Sequence, residues 1–115
     1  MPAYNFQKRW ANRVRRHLKR QTIRAKRKNR PRVGQTAYCF TGMRTKKCQR
    51  LGAWKIRRVG DVRILEQGVL LDGGPVQSFD LDKFARLDGF GSWRWMRLWF
   101  SETHGLPFHG DLVMW

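Results

Sequence analysis

Lys19, Thr22 and Arg24 fall close together in the run KRQTIR, and their types and spacing come nearer to a reaction centre than any other residues of this chain. A helix-to-strand corner after Lys19 brings an ammonium beside a hydroxyl and sets a guanidinium on the same strand face two residues later. A lysine whose pKa is lowered by burial or by neighbouring cations can take a proton from a hydroxyl, which would make Thr22 a nucleophile. A carboxylate would complete the set as orienter or acid. Of the 8 Asp and Glu, Asp88 in Leu87-Asp88-Gly89-Phe90 falls at a turn between two helical stretches, from which it can project into a cleft. The plainer alternative stays open on spacing alone: Lys19 and Arg24 contact phosphate, and Thr22 is an ordinary strand residue.

Other reactive side chains form no comparable set. His17, His104 and His109 with Cys39 and Cys48 offer neither Cys-x-x-Cys nor His-x-x-x-His, so no metal and no other cofactor is expected. The two cysteines suit a reducing compartment and read as small core residues. Trp93, Trp95, Trp99 and Phe100 can stack on bases, as in single-strand binders, or line a core. Trp95 lies off the stripe made by Met96, Trp99, Phe100 and Thr103, which makes it the candidate for an exposed ring.

Charge names the class of partner. The net charge is +17 and the sequence pI is near 11.5. Residues 1–58 hold 20 Lys plus Arg and no acid, whereas residues 59–115 hold 5 basic residues against 8 acidic ones. Such a field attracts a polyanion: nucleic acid first, an anionic membrane second, an acidic protein third. Arg20 and Arg24, with Lys26, Arg27, Lys28 and Arg30 in a basic loop at 25–32 and Arg44, Lys46 and Lys47 in another at 41–47, are the candidates for holding phosphates. Phosphate contacts position a ligand without specifying its sequence. No apolar run is long enough to span a bilayer and none resembles a signal peptide, and an Arg-rich transit peptide would be rich in serine, whereas the first serine here is Ser78. The expectation is a soluble, monomeric protein of the cytoplasm, bacterial if a phage encodes it, with no membrane partner.

The elements that must position these groups are legible in outline. Phe6, Trp10, Val14 and Leu18 recur every four residues and predict an amphipathic helix over 5–20 with a basic outer face. Period-2 alternation predicts a strand over 21–24, with Thr22 and Arg24 on one face. Further strands are predicted over 35–40, 53–58, 61–66, 69–71 and 76–79, the last four as an antiparallel meander punctuated by Gly60, Gly68 and Asp72-Gly73-Gly74-Pro75. A short helix over 81–87, a helix over 93–103 capped by Ser92 and ended by Gly105, and a closing strand over 108–115 complete the chain. Together these make one α+β domain over 1–115, a curved sheet or partial barrel flanked by helices.

The order of these features resembles an ASCH domain of the PUA-like superfamily, in its short stand-alone phage and bacterial form. The resemblance rests on Phe6-x2-Arg9-Trp10-Ala11-x2-Val14, Lys19-x-x-Thr22-Ile23-Arg24, Val33-Gly34-Gln35-Thr36, Asp88-Gly89-Phe90 and Phe108-x-Gly110-x-Leu112-Val113-Met114-Trp115. It implies a small β-barrel of five to six strands with two to three helices and a lateral cleft for RNA or nucleotide-like ligands. One bacterial branch of the family hydrolyses N4-acetylcytidine with a lysine, a threonine and a glutamate, and other members are described as ribonucleases. On that motif Lys19, Thr22 and Asp88 would be the catalytic residues, with Asp88 one methylene shorter than the family's glutamate. The leading expectation is binding of RNA or another single-stranded nucleic acid. The alternatives are an amidohydrolase or ribonuclease, and a basic structural nucleoprotein factor whose first 33 residues order only on nucleic acid.

Overall fold

A computed structural model describes residues 2–115. The chain runs through β1 (Ala3–Phe6), α1 (Lys8–Arg15), β2 (Gln21–Ala25), β3 (Thr36–Thr41), β4 (Gln49–Lys55), β5 (Arg58–Ile64), β6 (Val69–Leu71), β7 (Gly74–Pro75), a 3-10 turn at Ser78–Asp80, α2 (Leu81–Leu87), α3 (Trp93–Thr103) and β8 (Phe108–Met114). Among the described residues eight strands fall into two sheets, ordered β1-β3-β4 and β2-β8-β5-β6-β7. β1 lies parallel to β3, and every other pairing is antiparallel. The architecture is α+β, and the described strands do not close into a barrel.

β8 organises the molecule. It is flanked by β2 and β5, and its alternate residues point into different cores. Leu112 joins Ile23, Val62, Ile64, Phe84, Met96 and Phe100 between the five-stranded sheet and the helices α2 and α3. Val113 joins Tyr4, Phe6, Val14, Ala37, Cys39 and Trp115 on the other face. Trp10 packs against both clusters. A strand covered on both faces needs apolar residues at consecutive positions, which is why this segment reads Leu-Val-Met-Trp without alternation.

The predicted helix over 5–20 is shorter than its spacing suggests. Tyr4 and Phe6 bury on one face of β1 beside β3, and the helix starts only at Lys8. Its end is forced by His17, which adopts φ 60, while the amides of Leu18 and Lys19 both bond to the Arg13 carbonyl. Leu18 therefore leaves the apolar stripe and is 58% exposed. A four-residue spacing cannot separate a helix from a strand residue followed by a helix, because Phe6 meets the same core either way. The strand predicted over 53–58 is divided at Ile56 and Arg57, where the chain passes from one sheet to the other, so only β5, β6 and β7 form the meander. Residues 76–79 are no strand: after one bond from Val76 N–H to the Val69 carbonyl the chain coils into the 3-10 turn, leaving Phe79 in solvent.

The two later helices match the expectation. Ser92 Oγ accepts from the Trp95 amide at 3.3 Å, and Gly105 closes α3 with φ 78. Met96 and Phe100 are buried, Trp99 is partly buried and Thr103 is exposed.

Candidate functional site

Residues from β1, α1, β2, the α2–α3 turn, α3 and β8 enclose a cleft of about 300 Å³. Lys19, Thr22, Arg24 and Asp88 all line it, so the fold brings together groups separated by more than sixty residues of sequence. Its apolar walls include Phe6, Trp10, Phe90, Trp99 and Phe108.

Lys19 is 4% exposed. Its Nζ donates to the Gln21 carbonyl at 2.9 Å and to the Asp88 carbonyl, and it lies 3.6 Å from Asp88 Oδ1. Phe6 and Trp10 rings each lie 5.6 Å away. Burial pushes the Lys19 pKa down against the opposing pull of Asp88, and burial pushes the Asp88 carboxyl up against the pull of Lys19. Asp88 Oδ1 has no hydrogen-bond partner in the structure.

The approach of Lys19 to the α2–α3 turn depends on Gly89. A Cβ there would stand 2.9 Å from Lys19 Cδ and 3.1 Å from the Trp10 ring, and its φ of +96 is one that other residues rarely adopt. The Arg13 guanidinium donates to the Gly89 carbonyl, fastening α1 over the same turn.

Thr22 and Arg24 share a strand face as predicted. Arg24 Nε donates to Thr22 Oγ1 at 2.8 Å, and its Nη2 donates to the Asn5 carbonyl at 2.9 Å. The guanidinium lies over the Phe6 ring at 5.0 Å and the Tyr4 ring at 5.4 Å. Burial lowers its pKa, as does neighbouring Arg27. Among the described residues no hydrogen bond joins Lys19 Nζ to the Thr22 hydroxyl, so the corner places the two in one cleft without pairing them.

The basic candidates separate into groups. Lys26 donates to Asp61 Oδ1 at 2.6 Å and to Asp111 Oδ1 at 3.1 Å, while Arg30 donates to both Asp111 oxygens at 2.7 and 3.2 Å. Arg27 lies over the Tyr4 ring at 4.8 Å. The 25–32 segment is therefore a strap bound to β5 and β8, where the sequence suggests a solvated loop of mutually repelling charges. Lys28 stays exposed, and Arg20 lines a separate recess with Arg57 and Arg58. Lys46 and Lys47 line a groove on the far side of β1, and Arg44 is exposed with φ 65.

Several cleft residues escaped the sequence reading. Trp95 is 61% exposed, as predicted, but lies outside the cleft, whose rings come from other elements. Arg9 stacks over Trp10 at 4.6 Å and reaches Trp99 at 5.9 Å. His104, weighed above only as a metal ligand, lines the cleft and packs 4.7 Å from the Phe108 ring. Cys39 is buried, and burial pushes its thiol up to about 12. Cys48, expected in the core, is exposed because it follows the basic loop instead of a strand. Among the described residues no group of three or more His, Cys, Asp or Glu could hold a metal, and no helix is long and apolar enough to cross a membrane.

Compared with family models, with curated proteins and with solved structures, the chain matches none of them.

Three outcomes follow from this geometry. Replacing Lys19 by Met alone strands Asp88 in the interior and should cost about 3–5 kcal/mol, whereas Lys19→Met with Asp88→Asn should recover a large part of that loss. Urea unfolding of the four proteins of the cycle measures it, and strictly additive losses would contradict the coupling. Asp111→Ala should free the strap: cleavage by trypsin after Lys26, Arg27 and Lys28, mapped by mass spectrometry, should rise about tenfold while sites elsewhere keep their rates. Lys26 and His109 also hold the Asp61 carboxyl down from 3.8 to about 2. Their stabilising effect is present above the ordinary aspartate value and is lost as pH falls from there through about 2.

Proposed function

We propose that the protein binds single-stranded nucleic acid, RNA foremost, and seats a base in the cleft. The observation that carries this reading is a small cleft with aromatic walls and a polar floor of buried Lys19, Thr22 and Asp88 with half-buried Arg24, in which Lys19, Thr22 and Arg24 come from the half of the chain that holds all the excess positive charge and Asp88 from the other. Aromatic faces accept any base by stacking, the polar floor offers donors to a base edge, and the basic surroundings attract the backbone. A pocket near 300 Å³ lies at the lower end of the range for small-ligand sites, about 300–1,000 Å³, which suits one base better than a large cofactor.

The ASCH resemblance supports the same ligand class. On this reading the two sheets are an opened relative of the small PUA-like barrel, with β8 returning beside β2 and the helices α2 and α3 closing one side. Binding of an oligouridylate, followed by fluorescence anisotropy, should weaken steeply with salt, each neutralised phosphate adding about 0.7 to the slope of log Kd against log salt. A dissociation constant that stays constant from about 50 to about 500 mM KCl would overturn it.

The convergence of Lys19, Thr22 and Asp88 favours a second reading, hydrolysis of an acylated base such as N4-acetylcytidine, or cleavage of RNA. A neutral amine has two N–H groups and one lone pair. Once Lys19 has passed its third proton to Asp88, the two carbonyls hold its remaining N–H groups, which leaves the lone pair for a substrate-bound or shifted Thr22 hydroxyl. Thr22 Oγ would attack the amide carbonyl, Lys19 would take its proton and pass it to the departing amine, and water would then release the acid from the acyl-threonine. Incubation with N4-acetylcytidine and with a mixed RNA pool, read by mass spectrometry, should show product for the parent protein and none for Thr22→Ala. Equal product from both would exclude Thr22 as the nucleophile.

A further inference from the structure

On the far side of β1 from the cleft lies a second and larger recess, a groove of about 820 Å³ between α1 and the 41–47 loop. Lys8 and Arg15 line it from the helix, Lys46 and Lys47 from the loop, and Asn12 and Thr45 add neutral polar groups. Among the described residues none of these four cations takes part in an ion pair. The contrast with the 25–32 strap is sharp. There the carboxylates of Asp61 and Asp111 neutralise Lys26 and Arg30, whereas in the groove four charges converge on a concavity with no acid on its walls. Such a concentration of like charge opposes folding unless something else favours it, and it is what a polyanion would meet.

The groove and the cleft share one wall. Asn5, Phe6 and Gln7, at the junction of β1 and α1, line both. Asn5 is tied from each side: its carbonyl accepts Arg24 Nη2 at the cleft, and its side-chain Oδ1 accepts the Met43 amide of the loop at 3.0 Å. Thr41 Oγ1 donates to the Phe6 carbonyl at 2.8 Å and holds the start of the loop against the same saddle. The loop is thus anchored where it meets the cleft, and its lysines project into the groove beyond.

On the reading of the protein as a single-strand binder, we propose that this groove takes the sugar-phosphate backbone of the strand whose base occupies the cleft, the strand crossing the saddle at residues 5–7. The two recesses divide the chemistry of a nucleotide chain between them. The cleft has rings for a flat base and few free charges, and the groove has free cations and few rings. A bilayer surface fits poorly, because headgroups in a plane cannot enter a concavity walled by a helix and a loop. An acidic peptide could reach the lysines but has no flat group for the aromatic cleft next door.

Cys48 supplies a direct reporter. It lines the groove and is exposed, while the other thiol, Cys39, is buried with its pKa pushed up. The rate at which iodoacetamide, a neutral reagent, alkylates Cys48 should fall severalfold when the parent protein is saturated with an octauridylate and stay unchanged with uridine alone. Lys46→Gln with Lys47→Gln should weaken octauridylate binding roughly tenfold and lower the salt slope by about 1 or more. The same number of charges removed by Lys83→Gln with Arg94→Gln, which line neither recess, should have a much smaller effect. If the parent binds the octanucleotide while Cys48 stays fully reactive, or if the two double variants lose affinity equally, the groove is not the backbone site and the cleft reading survives. If the parent binds no oligonucleotide at low salt, both readings fall together. Protection of Cys48 by a polyglutamate peptide equal to that by octauridylate would assign the groove to an acidic protein instead.

Discussion

An ammonium group withdrawn from water must be given oxygen atoms, and Lys19 obtains them from two parts of the chain that have no local reason to meet. The Gln21 carbonyl comes from the start of β2, two residues further along, and the carbonyl and carboxylate of Asp88 come from the turn between α2 and α3. Satisfying one buried cation therefore pins the α1–β2 corner to the helical half of the molecule. The Arg20 amide bonds to the Leu87 carbonyl alongside, and Gly89 has no side chain to keep Lys19 and Trp10 away. A buried ion pair is a poor source of stability, since its desolvation offsets most of its attraction, but breaking it is costly, so it acts to hold one arrangement. That arrangement is also the floor of the cleft.

Positive charge is handled in two ways by the same fold. Where β5 and β8 lie side by side, Asp61 and Asp111 stand opposite each other in register and together draw the strap down onto the sheet. In the groove between α1 and the 41–47 loop, no acid lies among the described lining residues. The excess charge of the first 58 residues is therefore partly spent on structure and partly left free, and four of the free cations, Lys8, Arg15, Lys46 and Lys47, line the groove that meets the cleft at Asn5. The position of the few acids, more than that of the many bases, decides which surface remains attractive to a polyanion.

Local features were the most legible. Helices α2 and α3, the Ser92 cap, the Gly105 stop and the strand face shared by Thr22 and Arg24 all follow from rules that act within a few residues. The errors came where two local descriptions give the same pattern. Phe6 reaches its core from a strand although its spacing from Trp10 suits a helix, and 53–58 reads as one strand although the chain changes sheets inside it. Asp88 could be singled out because it lies in a turn beside a glycine. The aromatic walls of its cleft could not, since Phe6, Phe90 and Phe108 are ordinary core residues until their mutual placement leaves a gap between them.

What the sequence determines by itself is the inventory and its local setting: a basic half and a mildly acidic half, a Lys-x-x-Thr-x-Arg corner, and an apolar closing strand. What only the tertiary structure decides is pairing. Lys26 and Arg30 are neutralised while Lys46 and Lys47 are not, Lys19 meets Asp88 and not Thr22, and a saddle of three residues separates a ringed cleft from a charged groove. The physical reason is range. Propensity and periodicity act over a few residues, whereas desolvation and charge neutralisation depend on which groups come within a few ångströms after the sheets and helices have packed.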